Sequence, residues 1–383
     1  MAPDRAERPI LLFLPSLAGG GAERVMVTLA NGFAHRGHAV DLVLARAEGP
    51  YLAEVGKAVR VVDLGAARVL AALPGLVRHL KTTRPRVLFA TQSHANLVAI
   101  WARRLAAVHA RLIVREANTA SQSAGHAPTL RGRLMPLLMR RFYPWADMVV
   151  APSVGVRDDL LRNFRIPRPR VRVLANPVVS AGMLAQAEAP LAHPWFASGE
   201  SPVVVAVGRL TRQKDFATLI RAVAMASRQH PMRLLILGEG EERAALEELA
   251  RSLGIAEQVA LPGFVDNPFQ YLRRAALFVL SSAWEGLPNA LIQAMACGVP
   301  VVATDCPSGP AEILASGRFG PLVPVGDPET LARAILVTLA RGNDQSLRLA
   351  RVARAMDFSV DKIVNHYLNL MLNHRVTIEE PNP

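Results

Sequence analysis

The 383-residue chain has only two cysteines, Cys297 and Cys306. That is too few for a disulfide framework or a thiolate metal site, and it is the usage expected of a cytoplasmic protein. No run of eighteen apolar residues occurs, so no transmembrane helix is expected. Residues 1–16 lack the long apolar segment of a signal peptide and run quickly into the glycines at 19–21. There is no Asp-x-Asp pair, and His, Asp and Glu do not gather at ligand spacing, so neither a metal nor another cofactor is expected. Aromatics are scarce at 5%, and no recognised module or stacking platform for nucleic acid is present. Lysine is nearly absent, four against forty arginines, and the charge is uneven. Residues 1–180 hold 26 basic and 11 acidic residues, a net +15; residues 181–383 hold 18 and 20, a net −2. A basic half beside a near-neutral one implies a surface that meets an anionic partner.

An apolar content of 51% over this length suits two domains of ordinary size. In the first half, apolar runs at 10–15, 39–45, 59–64, 87–91, 112–115, 148–152 and 171–175 read as strands with helical patterns between them. That alternation predicts an α/β fold with an open parallel sheet covered on both faces. A Pro-bounded stretch of low periodicity over 179–201 reads as a linker. A second α/β series follows: strands at 203–208, 233–237, 259–263 and 319–325, with helices at 241–253, 328–340 and 360–372. The expected organisation is therefore a first domain over 1–178, a second over 202–356 and a closing helical segment over 357–383.

The most informative stretch is 281–314, SSAWEGLPNALIQAMACGVPVVATDCPSGPAEIL. The apolar run at 276–282 before it reads as a buried parallel strand. After the turn Trp284-Glu285-Gly286-Leu287, Pro288 opens a helix that ends at Cys297-Gly298, with Pro and Gly at the ends that suit them. The amides of Asn289, Ala290 and Leu291 would then face outward at the carboxyl end of a strand, where doubly wound sheets bind anions. Glu285 can accept hydrogen bonds from hydroxyls but repels phosphate. A phosphate cradle beside a carboxylate points to a ligand with phosphates and several hydroxyls, such as a sugar nucleotide. Two cations, Arg209 and Lys214, follow the strand at 203–208 and could neutralise charge on a leaving phosphate. The glycines of 19–21 at the first strand–helix turn do not make a dinucleotide fingerprint, because Arg24 stands where the third glycine belongs. His94, Glu116 and Asn118 fall at carboxyl ends of strands, where ligands bind, although a lone His there is more often structural.

The 281–314 stretch resembles the signature of the family-4 retaining glycosyltransferases of the GT-B fold, Glu-x7-Glu followed by AMAxGxPVVAT. Its tail, DCPSGPAEIL, is similar to a bacterial subgroup that builds lipopolysaccharide, capsule and glycolipid oligosaccharides. The resemblance implies two Rossmann-like domains facing a cleft, with the last helix crossing back to the first domain. It implies transfer of a sugar from a nucleotide diphosphate, UDP in the first instance, with retention and without metal. Catalytic roles fall on Glu285, against the donor sugar, and on Arg209 and Lys214 of the GRLxxxK element, against the diphosphate. Donor contacts are implied for Gly20 and Gly21 of GGGAERV, for Gly208, for Phe264 and Val265 around the base, and for Gly286, Leu287, Asn289, Ala290 and Leu291. The family's second Glu, against the ribose, is Gln293 here, which keeps hydrogen-bonding capacity and loses the charge. A His that touches the donor sugar in some relatives is replaced by Ala117, leaving His94, Glu116 and Asn118 as candidates for sugar or acceptor contacts.

The acceptor implied is a saccharide or a lipid-linked saccharide. The segment 129–143, TLRGRLMPLLMRRFY, has apolar residues near helical spacing flanked by Arg, which suits an anionic membrane surface and a peripheral place on the inner face of the plasma membrane. Two other readings compete. A sugar-nucleotide 2-epimerase should gather carboxylates and a His, which this sequence does not. A non-catalytic sugar-nucleotide-binding protein draws weight from Gln293, against the retention of Glu285, Arg209 and Lys214.

Overall fold

The computed structural model describes residues 8–126, 130–197 and 200–372, excepting the side chains of residues 130 and 131. Thr129 and the end of the expected closing segment, 373–383, lie outside the described residues. The chain divides into two compact units, with boundaries at Pro177/Val178 and Ser359/Val360.

The first unit carries seven strands: β1 (Ile10–Leu14), β2 (Val40–Leu44), β3 (Val59–Asp63), β4 (Val87–Thr91), β5 (Arg111–Arg115), β6 (Met148–Ala151) and β7 (Val171–Val173). All pair in parallel, in the order β3-β2-β1-β4-β5-β6-β7. The strands stand where the apolar runs placed them, to within a residue or two at the ends. A parallel strand covered by helices on both faces must be apolar on both. Alternate residues then go to opposite cores. In β1, Leu11 and Phe13 join Val43, Leu88 and Ala90 on one face. Ile10, Leu12 and Leu14 join Phe33, Val364 and Tyr367 on the other.

The second unit has six parallel strands: β8 (Val203–Val207), β9 (Arg233–Leu237), β10 (Val259–Gly263), β11 (Leu277–Leu280), β12 (Val301–Thr304) and β13 (Leu322–Val323). Their order is β10-β9-β8-β11-β12-β13, the doubly wound pattern. β12 was not read from the sequence, because its four residues continue the Gly-Val-Pro end of the preceding helix without a separate turn signal. The expected strand at 319–325 shrinks to two residues, since the glycines at 317 and 320 and Pro321 leave little chain able to pair. Within the stretch read as a linker, Ala181–Ala187 is a helix whose cap Ser180 accepts from the Met183 amide at 3.1 Å. Met183 and Ala187 are buried, and Asn267 Nδ2 donates to the Gln186 carbonyl at 2.8 Å.

The terminal helix, Val360–Leu372, belongs to the first unit. It buries Ile363, Val364, Tyr367, Leu368, Leu370 and Met371, a face at helical spacing. Tyr367 meets Phe89 edge-on with ring centroids 5.8 Å apart, and Arg36 pairs with Asp361 at 3.0 Å. Val178 and Val179 both donate to the Phe358 carbonyl, at 2.9 and 3.1 Å, just before that helix begins. Replacing Tyr367 with Ala should destabilise the protein by about 3–5 kcal/mol, the cost of truncating a buried aromatic ring. Urea denaturation should show the lower midpoint, and an unchanged midpoint would mean that the helix contributes no core.

Candidate active site

Parallel pairing puts the carboxyl ends of all six strands of the second unit on one edge, and the strand order reverses between β8 and β11. Connections diverge there and leave a crevice, the usual ligand position in such sheets. The loop after β8 carries Gly208 to Asp215. The loop after β11 carries Ser281 to Pro288. Backbone and side-chain bonds lace the two loops together. Ala283 donates to the Gln213 carbonyl at 2.8 Å, Gln213 Nε2 to the Trp284 carbonyl at 2.9 Å, and Ser281 Oγ to the Lys214 carbonyl at 2.8 Å.

Across this lacing Lys214 Nζ meets Glu285 Oε1 at 2.5 Å, and Ser282 Oγ donates to the same oxygen at 2.7 Å. Glu285 is 6% exposed and the Lys214 side chain 18%. Gly208 permits the approach, since a Cβ there would lie 3.0 Å from Lys214 Cε. Gly238 makes a tighter crossing, with φ +147° and no room for a Cβ against the Gly208 carbonyl. Arg209, by contrast, is exposed, and among the described residues its guanidinium has no hydrogen-bond or ion-pair partner.

The helix after β11 starts at Asn289, not at Pro288, which is its N-cap in an extended conformation. The Leu291 amide is consequently taken by the first turn, donating to the Pro288 carbonyl at 3.1 Å, which corrects the expectation that it faces outward. Leu291 itself is wholly buried, as are Gly286 and Leu287. The half-buried face of this helix is Asn289, Ala290 and Gln293, with Glu285 four residues before Asn289. Phe264, just beyond the end of β10, is 53% exposed beside half-buried Val265. Burial pushes both cysteine thiols up to about 12, away from the thiolate form.

In the first unit the loops after β1 and β4 meet. Gly20 is the N-cap and Gly21 the first residue of the helix Gly21–His35. The carboxylate of Glu23 folds back against Gly20 and accepts from Gln92 Nε2 at 2.9 Å. Sequence reasoning singled out neither Glu23 nor Gln92, although Glu23 lies in the GGGAERV motif. His94 is exposed, yet protein walls around its ring hold the imidazole below its ordinary value, opposed by the Glu23 charge. Asn118 is half-buried and accepts from the Thr119 amide at 2.9 Å.

Glu116 is enclosed. It is 3% exposed, and its oxygens accept from Ser93 Oγ at 3.0 Å, from Asn96 Nδ2 at 3.0 Å and from the Tyr143 hydroxyl. Beside it Arg115 donates to Asn176 Oδ1 at 2.5 Å and to Thr91 Oγ1 at 3.1 Å. No short-range pattern links Tyr143, 27 residues away, to Glu116.

Residues 19–181 match the family model Glycosyltransferase Family 4, and residues 201–341 match Glycosyl transferases group 1. The lipopolysaccharide core biosynthesis glycosyltransferase LpsE of Rhizobium meliloti is 31% identical over 92% of this chain and 96% of its own. A Campylobacter jejuni enzyme, N-acetylgalactosamine-N,N'-diacetylbacillosaminyl-diphospho-undecaprenol 4-alpha-N-acetylgalactosaminyltransferase, is 30% identical over 74% of this chain and 75% of its own. The structure of HepE from Anabaena, in complex with UDP and glucose, superposes with a TM-score of 0.78 at 20% identity, covering 95% of this chain and 99% of that one. Two doubly wound units of this kind are the GT-B fold. The chain belongs to glycosyltransferase family 4.

The enclosed carboxyl of Glu116 gives a pH signature. Burial pushes it up to about 7 from 4.5, against the bonds from Tyr143, Ser93 and Asn96 and the Arg115 charge, which pull it down. Between those values the folded state keeps a proton that the unfolded state has lost. Its stabilising contribution is therefore complete below about 4.5, declines as pH rises and is gone above about 7. Glu116→Gln should flatten the fall in stability between these values, by up to about 1.4 kcal/mol per pH unit. Chemical denaturation across that range checks this, and an unchanged slope in the variant would place the titration elsewhere.

Proposed function

We propose that this glycosyltransferase moves a sugar from a UDP-sugar to a saccharide or lipid-linked saccharide acceptor, with retention and without a metal or other cofactor, in cell-envelope polysaccharide or glycolipid synthesis. The observation that carries the reading is the Lys214–Glu285 pair at the β8/β11 crevice, with unpartnered Arg209 on the same loop as Lys214. The choice of UDP is supported by HepE, whose structure holds UDP and glucose, and by the exposed Phe264 that an aromatic base can cover. The acceptor follows from relatives named for lipopolysaccharide core synthesis and for a diphospho-undecaprenol-linked saccharide.

In this reading Arg209 and Lys214 neutralise the donor diphosphate as the bond from the sugar C1 to the phosphate oxygen breaks. Glu285 holds Lys214 in place and accepts from hydroxyls of the donor sugar through its remaining lone pairs. The departing phosphate takes the proton of the acceptor hydroxyl as that oxygen bonds to C1 on the same face. Cys297 and Cys306 are buried and their thiols are held protonated, so the step as written uses no thiolate. Asn289 and Gln293, on the half-buried helix face, hydrogen-bond the ribose side of the donor. The protein works on the cytoplasmic side of the membrane, where nucleotide sugars are made. Among the described residues no helix is long and apolar enough to cross a bilayer, so access to a lipid-linked acceptor is from the surface.

Incubation with labelled sugar nucleotides and a lipid-saccharide extract tests the reaction directly. Transfer to the extract is expected; hydrolysis or binding alone would sink it. Arg209→Ala should lower turnover about a hundredfold or more while leaving unfolding unchanged, because the side chain has no partner among the described residues. Lys214→Ala should cost turnover similarly and also destabilise, since it strands the buried Glu285 carboxylate. Near-native turnover in both variants would remove the diphosphate role.

The membrane reading rests on the helix Leu130–Phe142, which forms despite Gly132 and Pro136. Leu138 and Phe142 pack against the core, while Leu134 is 53% and Leu137 63% exposed. Arg133, Arg140 and Arg141 are exposed on the same face at i, i+7 and i+8, a cationic rim around two apolar anchors. The protein should co-sediment with anionic vesicles and be released by salt. Changing Arg133, Arg140 and Arg141 to Ser should weaken that binding and spare sugar-nucleotide affinity. Equal sedimentation with neutral vesicles would point to a soluble acceptor.

A further inference from the structure

Because the strands of the first unit are parallel, the amino ends of β4, β5 and β6 lie at the edge opposite the one that carries His94 and Glu116. A cavity of about 1150 Å³ opens there, lined by Arg8, Arg86, Arg103, Arg104, Arg111 and Asp147 among others. Five guanidinium groups and one carboxylate share this lining.

Three of the five have partners within the fold. Arg103 donates to Asp147 at 2.6 Å and to the Trp145 carbonyl at 2.8 Å, and Arg104 lies 4.8 Å over the Trp145 ring. Both sit in the last turn of the helix Ser93–Ala106, where cations complement the helix dipole. Arg8, Arg86 and Arg111 are not on that helix. Arg111, the first residue of β5, gives one N–H to the Met371 carbonyl at 3.2 Å. Burial holds it below its ordinary pKa although Asp147 acts to raise it. Arg86 and Arg8 are half-buried, and Arg8 Nε is shut off from solvent with no acceptor. Among the described residues neither the Arg8 nor the Arg86 guanidinium has a hydrogen-bond or ion-pair partner.

Stability gives no reason for this gathering. Like charges repel, and a desolvated donor without an acceptor costs free energy. The missing component is an anion of more than one charge with several acceptor oxygens. Guanidinium forks match phosphate oxygens in geometry and are weakly hydrated, so they surrender water readily to such a group. We infer that this cavity is a second oxyanion site, separate from the crevice of the second unit, which takes a phosphate or diphosphate group on Arg8, Arg86 and Arg111. Val108, Met371 and Leu372 add an apolar wall, so the group can be a free phosphate compound or the headgroup of a lipid.

Pyrophosphate, titrated by calorimetry and thermal shift against the full chain, is the first probe. A site in this cavity predicts saturable binding that persists in Arg209→Ala and weakens about tenfold or more in the double variant R8S/R86S. With no anion present, R8S/R86S should melt no earlier than the parent, because neither guanidinium has a partner among the described residues. Undiminished pyrophosphate affinity in R8S/R86S overturns the proposal. So does loss of binding in Arg209→Ala alone, or a melting temperature well below the parent's, which would make the two arginines structural. Dihexanoyl phosphatidic acid below its micelle concentration separates the sources. Tighter binding than inorganic phosphate, lost in R8S/R86S, supports the site with a lipid headgroup as its ligand. Equal or weaker binding, also lost in R8S/R86S, supports it with a free phosphate compound.

Discussion

The Lys214–Glu285 pair is taken almost entirely out of water, yet a buried ion pair is a poor source of stability. Desolvating the two charges costs about as much as their attraction returns, and two apolar residues of the same volume would serve the fold as well or better. Its retention at the strand-order reversal therefore argues for a positioned charge. Ser282 takes part of the same carboxylate oxygen, and the bonds through Gln213 and Ser281 fix both loops. An ammonium held this way has little reorganisation left when phosphate charge develops beside it, which is the condition for electrostatic catalysis. Arg209 is the complement: unpaired, exposed and able to move onto a ligand.

The two units share a topology and differ in chemistry. In each, the strand order reverses beside the first strand, and a glycine-bearing loop follows that strand. In the second unit the reversal carries the cations. In the first, the corresponding edge carries Glu23, Gln92 and His94, while Glu116 at the next strand end is enclosed and holds its proton up to about 7. A carboxylate folded over Gly20 disfavours phosphate at that turn and favours hydroxyls. Part of the positive charge of the first half lies around Leu134 and Leu137 and in the cavity at the amino edge.

Much of this was legible in the sequence, for identifiable reasons. Parallel strands need apolar residues on both faces, so β1, β4 and β9 appear as unbroken runs. Glu285, Arg209 and Lys214 lie next to such runs, so the local pattern fixed their place at carboxyl ends. Strand order was not legible, because the same alternation of strands and helices fits several windings. The helix Ala181–Ala187 was missed because its period is too short to register, and its stability comes from Ser180 and from contacts with the segment 267–274. The enclosure of Glu116 was invisible for a different reason. Its partner Tyr143 follows a helix that carries Pro136 in its interior, and only the folded sheet brings the hydroxyl to the carboxyl.

Gln293 shows where sequence pattern and structure have to be weighed together. The family pattern has a second Glu at this position, eight residues after the first, and the structure puts Gln293 on the half-buried face with Asn289 and Ala290. A carboxylate there would accept two hydrogen bonds from a ribose diol, each charge-assisted and worth up to about 3 kcal/mol. An amide accepts one and donates one, and its neutral bonds are worth about half as much. In the proposed reading, the same exchange removes a negative charge from an edge where Arg209 and Lys214 attract a diphosphate, and fixed like charge at such a site raises the cost of bringing the anion in. The loss falls on ribose recognition and the gain on phosphate attraction, so the substitution shifts how donor affinity is distributed along the nucleotide without removing either contact. Such a shift is compatible with the reaction proposed above, because the groups it assigns to the breaking bond, Arg209, Lys214 and Glu285, are all present.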